Sequence, residues 1–285
     1  MKQAFLICAH GNFPILKRLI SRLDCENHDI FLHLDRKLGE VDFQQFVSAV
    51  KKSKLVCLND RISVIWGHRS QIEVSLILLE EASKVDKYDY YHFISGVDYP
   101  IKSNEYIDRF MEANKGKEFV GFDTKEYTLE NKLGLYHFIP GNLRKKTILD
   151  VLNRVLLKIQ RVLGIHREHN LSYYRKGCNW WTITDELTRA LLEEKQNILK
   201  RYRFSFCADE IFLQTFVEHS RFKDRVFNYR DEYRSCLRKI DWKRGNPYVW
   251  SEKDFDELMK ADALFARKMA ENSELLITKI DEFIK

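Results

Sequence analysis

The chain is poor in the residues that bend or loosen a backbone, with four prolines and eleven glycines in 285 residues. Long flexible linkers are therefore excluded, and no low-complexity tract or internal repeat interrupts the pattern. No stretch approaches the ~20 consecutive apolar residues that a membrane-spanning helix needs. The opening, MKQAFLICAHGNFPILKRL, has an apolar run too short and too soon interrupted for a secretory signal. The expected compartment is the cytoplasm. The six cysteines (Cys8, Cys25, Cys57, Cys178, Cys207, Cys236) show neither CxxC pairing nor zinc-ligand spacing. They read as reduced thiols in apolar surroundings.

What is present describes a globular chain. Hydrophobic residues make up 45% and charged residues 32%, enough to build one large core or two modest ones. The net charge of +6 and isoelectric point near 8.8 favour anionic partners such as phosphate groups or acidic lipids. The excess is too mild to imply nucleic acid.

The first third alternates short apolar runs with amphipathic segments. AFLICAH, DIFLHLD and KLVCLN read as strands, and YDYYHFISGVDYPI as a fourth that runs into a glycine-containing turn. PILKRLISRL, opened by Pro14, reads as a helix, as do VDFQQFVSAVKK and SQIEVSLILLEEASK. This alternation predicts an α/β fold with a mostly parallel central sheet flanked by helices. Ligands of such sheets bind beyond the carboxyl ends of the strands, which singles out the loops holding His10, Asp35, Trp66 and Asp98. After Phe119 the period loosens. EFVGFD and GCNWWTIT suit strands, and residues 144–167 suit a basic amphipathic helix of about six turns. DELTRALLEEKQNILKRY suits another helix, and the chain from Asp254 to its end is expected to be helical.

FSFCADEIFLQTF (204–216) sets two adjacent carboxylates, Asp209 and Glu210, inside an apolar run. Charge is costly among hydrocarbon unless something pairs with it or uses it. Asp209 can cap a helix over Glu210–His219; alternatively the pair serves chemistry.

Six segments decide between these readings: HLDRK (33–37), WGHRSQIEVSLILL (66–79), YYHFISGVDYPIKS (90–103), GCNWWTIT (177–184), CADEIFLQT (207–215) and ALFARKM (263–269). Together, and in this order, they resemble the core-2/I-branching β-1,6-N-acetylglucosaminyltransferases of glycosyltransferase family 14. That family also contains the peptide O-xylosyltransferases. The resemblance implies a GT-A glycosyltransferase fold as a single domain over 1–285. Residues 1–123 would form its nucleotide-binding half, and 124–285 its acceptor-binding half and C-terminal helices. It also implies inverting transfer of a sugar, N-acetylglucosamine first and xylose next, from a UDP-sugar to a glycan hydroxyl. One carboxylate base and positive charge at the leaving diphosphate suffice for that chemistry.

By this resemblance Glu210 is the catalytic base and Asp209 a cap or orienting residue. Cys8, Ala9, His10, Asp35, Trp66 and Asp98 fall on the UDP-sugar side. Asp35 also suits a turn-forming role, and Trp66 a core anchor. Most GT-A enzymes bind a divalent metal through Asp-x-Asp, whereas FISGVDYP offers only Asp98. The literal match, Asp254–Asp256, reads as a helix cap. No metal or other cofactor is therefore expected, and Lys268, Arg267 and Arg244 are the cations assigned to the diphosphate. Trp180, Trp181, Asp241 and Trp242 are the acceptor candidates. Only one of the two adjacent tryptophans is expected to line the site, because neighbours in a strand face opposite ways.

The basic residues of 144–167 read either as the solvated face of a core-packed helix or as an interfacial helix on anionic lipid. The second would suit a lipid-linked acceptor at the inner membrane face. Most familiar relatives carry a membrane anchor and disulfides, neither of which is expected from this sequence, so the expected setting is a bacterial surface-polysaccharide enzyme. Two other functions stay open: a noncatalytic sugar- or nucleotide-binding module of the same fold, and a metal-dependent transferase.

Overall fold

The computed structural model describes residues 1–125, 127–139 and 147–285. Its main sheet holds six strands in the order β3-β2-β1-β4-β7-β6, namely Leu55–Cys57, His28–Leu34, Gln3–Ala9, Tyr90–Ser95, Trp181–Thr184 and Phe119–Val120. The first four run parallel, and β7 and β6 join antiparallel. A small second sheet pairs β5 (Asp98–Pro100) with β9 (Phe265–Arg267), and β9 with β8 (Arg238–Ile240).

The near-continuous apolar runs of β1, β2 and β4 follow from burial on both faces. Phe5, Ile7, Ile30, Leu32, Tyr90 and Ile94 pack into one core, with the Phe13–Leu23 and Glu274–Phe283 helices. Ala4, Leu6, Phe31, Tyr91 and Phe93 point the other way, into a second core with the Ser70–Val85 helix. The polar exceptions are paired. His92 hydrogen-bonds Thr182 and Gln3 at 2.9 and 2.7 Å and stacks on Phe5.

Glu118, fully buried, accepts hydrogen bonds from the Thr184 amide and hydroxyl, yet burial still pushes its carboxyl up to about 7. The folded chain keeps this proton where an unfolded glutamate has lost it. Its contribution to stability is therefore complete below the unfolded value and is lost as pH rises through about 7. Glu118→Gln should consequently gain about 1–3 kcal/mol over the wild type at high pH and nothing in acid. Urea unfolding at pH ~4.5 and ~8 checks this; an equal gain at both would rule ionisation out.

Several elements differ from expectation. VDFQQFVSAVKK yields only the short helix Gln44–Val47. The 185–202 helix breaks into Asp185–Glu193 and Lys195–Arg201. The C-terminal stretch is not continuously helical, because LFARK forms β9, sandwiched between β5 and β8 where its backbone is paired on both sides. No helix starts at Glu210. Residues 208–210 form one 3-10 turn, and the α-helix runs Phe212–Glu218. Of the basic 144–167 segment, the helix covers Ile148–Val162; Arg144, Lys145 and Lys146 lie outside the described residues.

Candidate active site at the carboxyl ends of the strands

The parallel strands deliver their C-termini to one edge. The Asp35 amide donates to Ala9 O at 2.8 Å, and the Gly96 amide to Cys8 O at 3.1 Å. A side chain at Gly96 would bring its Cβ to 2.6 Å from that of Ala9, so only glycine lets the β4 turn lie against the end of β1. Asp35 is buried. Its carboxylate accepts from the Lys37 amide at 2.9 Å and the Val64 amide at 3.3 Å, with Lys37 Nζ at 3.2 Å. The turn-forming role is thus realised here. Cys8 is a neutral thiol, its pKa pushed up to about 12 by burial and the nearby Asp35 charge. His10 is exposed, and Trp66, also exposed, packs edge-on against Phe206.

The acidic pair stands at the opposite wall. Cys207, in left-handed backbone conformation (φ 49°), turns the chain into the 208–210 turn and is tied to Gly67 O through its amide. Asp209 does not cap a helix. Its Oδ2 accepts from Gln71 and Asn179 at 3.0 and 2.9 Å, while Oδ1 is buried without a hydrogen-bond partner among the described residues. Burial, reinforced by the Glu210 charge, raises its pKa. Glu210 is more exposed and pairs through Oε2 with Lys132 Nζ at 2.6 Å. Its carbonyl accepts from the Gly177 amide at 2.9 Å, which locks the acidic turn to the strand that carries the tryptophans. A Cβ at Gly177 would fall 1.9 Å from Gly121 O, so this junction also requires glycine.

Cys8, Gln71, Asn179, Trp180, Trp181 and Asp209 line one cavity of about 50 Å³. That is room for a water or two, and it joins the end of β1 to the acidic turn. Both tryptophans border it, contrary to strand alternation. β7 begins only at Trp181, so Trp180 precedes the pleat, and each ring stacks on Phe93, at 5.5 and 5.1 Å. Trp181 is otherwise buried, whereas Trp180 is partly open.

The third wall is cationic. The Arg267 guanidinium lies 4.4 Å over the Trp180 ring and bonds Asp98 Oδ1 at 2.7 Å. Asp98, fully buried, also accepts from the Ser95 amide at 3.0 Å and faces Arg238 Nε at 3.6 Å. Lys268 follows directly, partly buried, its carbonyl accepting from the Trp250 amide at 3.1 Å. Arg244 is engaged by Asp241, Asp254 and Glu257. Those hydrogen bonds hold Asp241 down at about 2. Asp254 closes a capping box with Ser251. Trp242, beyond β8, is half exposed.

Sequence reasoning missed several members of this constellation: Lys132, Gln71, Asn179, Arg238 and the group Asp123–Lys176–Glu232. Lys176 bonds Asp123 at 2.7 Å; burial opposes its charge, but Asp123 and Glu210 outweigh it and raise its pKa. Burial, with the Asp123 charge next, pushes Glu232 up to about 7. Gln71 and Asn179 sat inside singled-out motifs, and Asn179, a polar residue directly before two tryptophans, was a usable signal. Among the described residues, the one metal-capable group is Cys25, His28 and Asp108. It lies at the amino end of β2, opposite the site.

The profile of the "Core-2/I-Branching enzyme" family matches residues 3–262. Among curated proteins, xylosyltransferase 2 of Homo sapiens is 22% identical over 98% of this chain and 33% of its own length. Xylosyltransferase sqv-6 of Caenorhabditis elegans is 25% identical over 94% and 34%. The chain thus spans about a third of the relatives it matches. Of solved structures, mouse xyloside xylosyltransferase 1 aligns over 95% of this chain and 98% of its own, at 10% identity and a TM-score of 0.36. With the profile covering most of its length, the chain belongs to the Core-2/I-Branching enzyme family.

Proposed function

We propose that this protein is an inverting glycosyltransferase that moves a sugar from a UDP-sugar to a hydroxyl of a glycan acceptor. One observation carries the reading: Asp209, the neighbour of Glu210 in the acidic turn, lines a cavity with Trp180, and the Arg267 guanidinium lies 4.4 Å over the ring of that same tryptophan. A base and a cationic wall on two sides of an aromatic platform are what a single displacement needs. Glu210 removes the proton of the acceptor hydroxyl, whose oxygen attacks the anomeric carbon. The bond from that carbon to the diphosphate oxygen breaks, and its electron pair leaves with UDP. Lys268 and Arg267 meet the growing negative charge. Lys132, bonded to Glu210 at 2.6 Å, holds the carboxylate in place before the acceptor arrives.

Transfer without a divalent metal is part of the proposal. It is supported by the commitment of Asp98, the residue at the strand end where a metal ligand is expected, to Arg267, Arg238 and the Ser95 amide. UDP-N-acetylglucosamine is the first donor proposed. UDP-xylose is the second, favoured by the names of the curated relatives.

The test is a panel of nucleotide sugars scored for hydrolysis and transfer, with manganese, with magnesium and with excess chelator. Turnover abolished by chelator would overturn the metal-free mechanism, and no turnover of any donor would favour a noncatalytic binding module. In the same assay Lys268→Ala should weaken UDP binding at least about tenfold, since charge-assisted hydrogen bonds to an anion are worth roughly 1.5–3 kcal/mol. An unchanged UDP affinity by calorimetry would remove Lys268 from the diphosphate site.

A further inference from the structure

The Ile148–Val162 helix is mounted with its polar stripe inward. Asp150, Asn153 and Gln160 are buried. Asp150 closes a capping box with Thr147, and Asn153 donates to Ile139 O at 3.3 Å. Gln160 both accepts from the Tyr136 amide at 2.8 Å and donates to Tyr136 O at 2.9 Å, as a neighbouring strand would. Of the four buried side chains of this helix only Leu157 is apolar, and Leu156 beside it is partly buried. The apolar side chains face water instead: Ile148, Leu152, Val155, Ile159, Val162 and Leu163 are all exposed, Ile148 by 87% and Val162 by 78%. At 100° per residue the first five fall within one stripe on the side away from Asn153, Leu157 and Gln160. Phe138, stacked on Tyr136, is exposed as well.

An apolar stripe of this length left in water calls for an occupant, and its charge selects one. Arg154, Lys158 and Arg161 are exposed along one flank of the stripe. The only acidic residue of the helix is the buried Asp150. A second copy docked through the same face would bring together two sets of positive charges with no exposed carboxylate on either helix to answer them. A bilayer with acidic headgroups satisfies both halves, taking the stripe at the level of the acyl chains and the flank at the phosphates.

We infer that the Ile148–Val162 helix is a membrane-docking surface that seats the protein on anionic lipid. The helix adjoins the site: Arg161 bonds Asn131 Oδ1 at 2.9 Å, one residue from the Lys132 that holds Glu210. On the glycosyltransferase reading, docking therefore holds the acceptor side of the cleft at the lipid surface, where the class of acceptor is a glycan carried on a lipid.

Flotation of the full chain with vesicles tests docking without any donor, so its failure is separate from a failure of the transfer reaction. The chain should float with phosphatidylglycerol-containing vesicles, more weakly with pure phosphatidylcholine, and less in high salt. Leu152→Glu combined with Ile159→Glu should cut binding at least tenfold with unchanged thermal stability, and Lys158→Gln about fivefold. Absence of flotation in the wild type, or flotation indifferent to Leu152→Glu/Ile159→Glu, overturns the inference. So does a wild-type dimer in light scattering that this double variant dissolves while vesicles are ignored, since the face would then belong to a second copy.

Discussion

Glu210→Gln is expected to lower the transfer rate by roughly 10²–10⁴-fold, the range over which a general base contributes, while UDP affinity stays within about twofold. Both halves of that expectation have structural grounds. Glu210 pairs with Lys132, on the side that the proposal gives to the acceptor, whereas the nucleotide is assigned to the Cys8–Asp35 edge. Glutamine retains an oxygen that can accept from Lys132, so the 3-10 turn and its bond to Gly177 should survive. Loss of the ion pair itself should cost little stability, because both partners are partly exposed. The measurement is kcat and KM for transfer beside calorimetric UDP binding. Wild-type turnover would dismiss Glu210 as the base. Asp209→Asn then becomes decisive, because Asp209 lines the cavity beside Trp180 with an Oδ1 unpartnered among the described residues and a raised pKa. Loss of turnover there alone would move the proton-accepting role by one residue.

Asp98→Ala should be the most destabilising single change at the site, by about 3–5 kcal/mol, the cost of breaking a buried ion pair from one side. Arg238 is almost wholly buried, with its guanidinium 4.5 Å from the Phe265 ring and its remaining bonds going to the carbonyls of Cys236 and Phe93. Without Asp98 its charge has no counter-ion among the described residues. The same change unfastens Arg267 from the wall beside Trp180, so UDP affinity should fall with stability. Denaturant unfolding gives the first number and calorimetry at low temperature the second. A loss below about 1 kcal/mol would mean that Arg238 is solvated without Asp98, contrary to the pairing described. Asp98→Asn, which keeps the hydrogen bonds but not the charge, should fall between the two.

Much of the edge assigned to the nucleotide was legible as an edge because it sits on period. Strand–helix alternation alone put His10, Asp35 and Asp98 at strand ends, and the structure brings those ends to one edge. The acidic pair was legible as an anomaly, two carboxylates in an apolar run. Its environment was not. Lys132 comes from a segment without period, 78 residues from Glu210 in sequence, and Arg238 meets Asp98 from β8. Periodicity reports which face of an element is apolar; it carries no information about which distant charge will face it. The helical reading of LFARK failed for a related reason. Three residues held between two strands take their conformation from those partners, and local propensity is a weak prior against that.

The Ile148–Val162 helix divides the two sources of information most cleanly. The amino-acid order by itself determined a helix, an apolar stripe and a basic flank, because these depend only on spacing along 3.6 residues per turn. Which way the stripe points was decided by tertiary structure alone. The backbone of Tyr136 and Ile139 presents polar groups that Gln160 and Asn153 satisfy. Burying those backbone groups against leucine and valine would have left them unpaired, so the polar face turned inward and the apolar one was left outside.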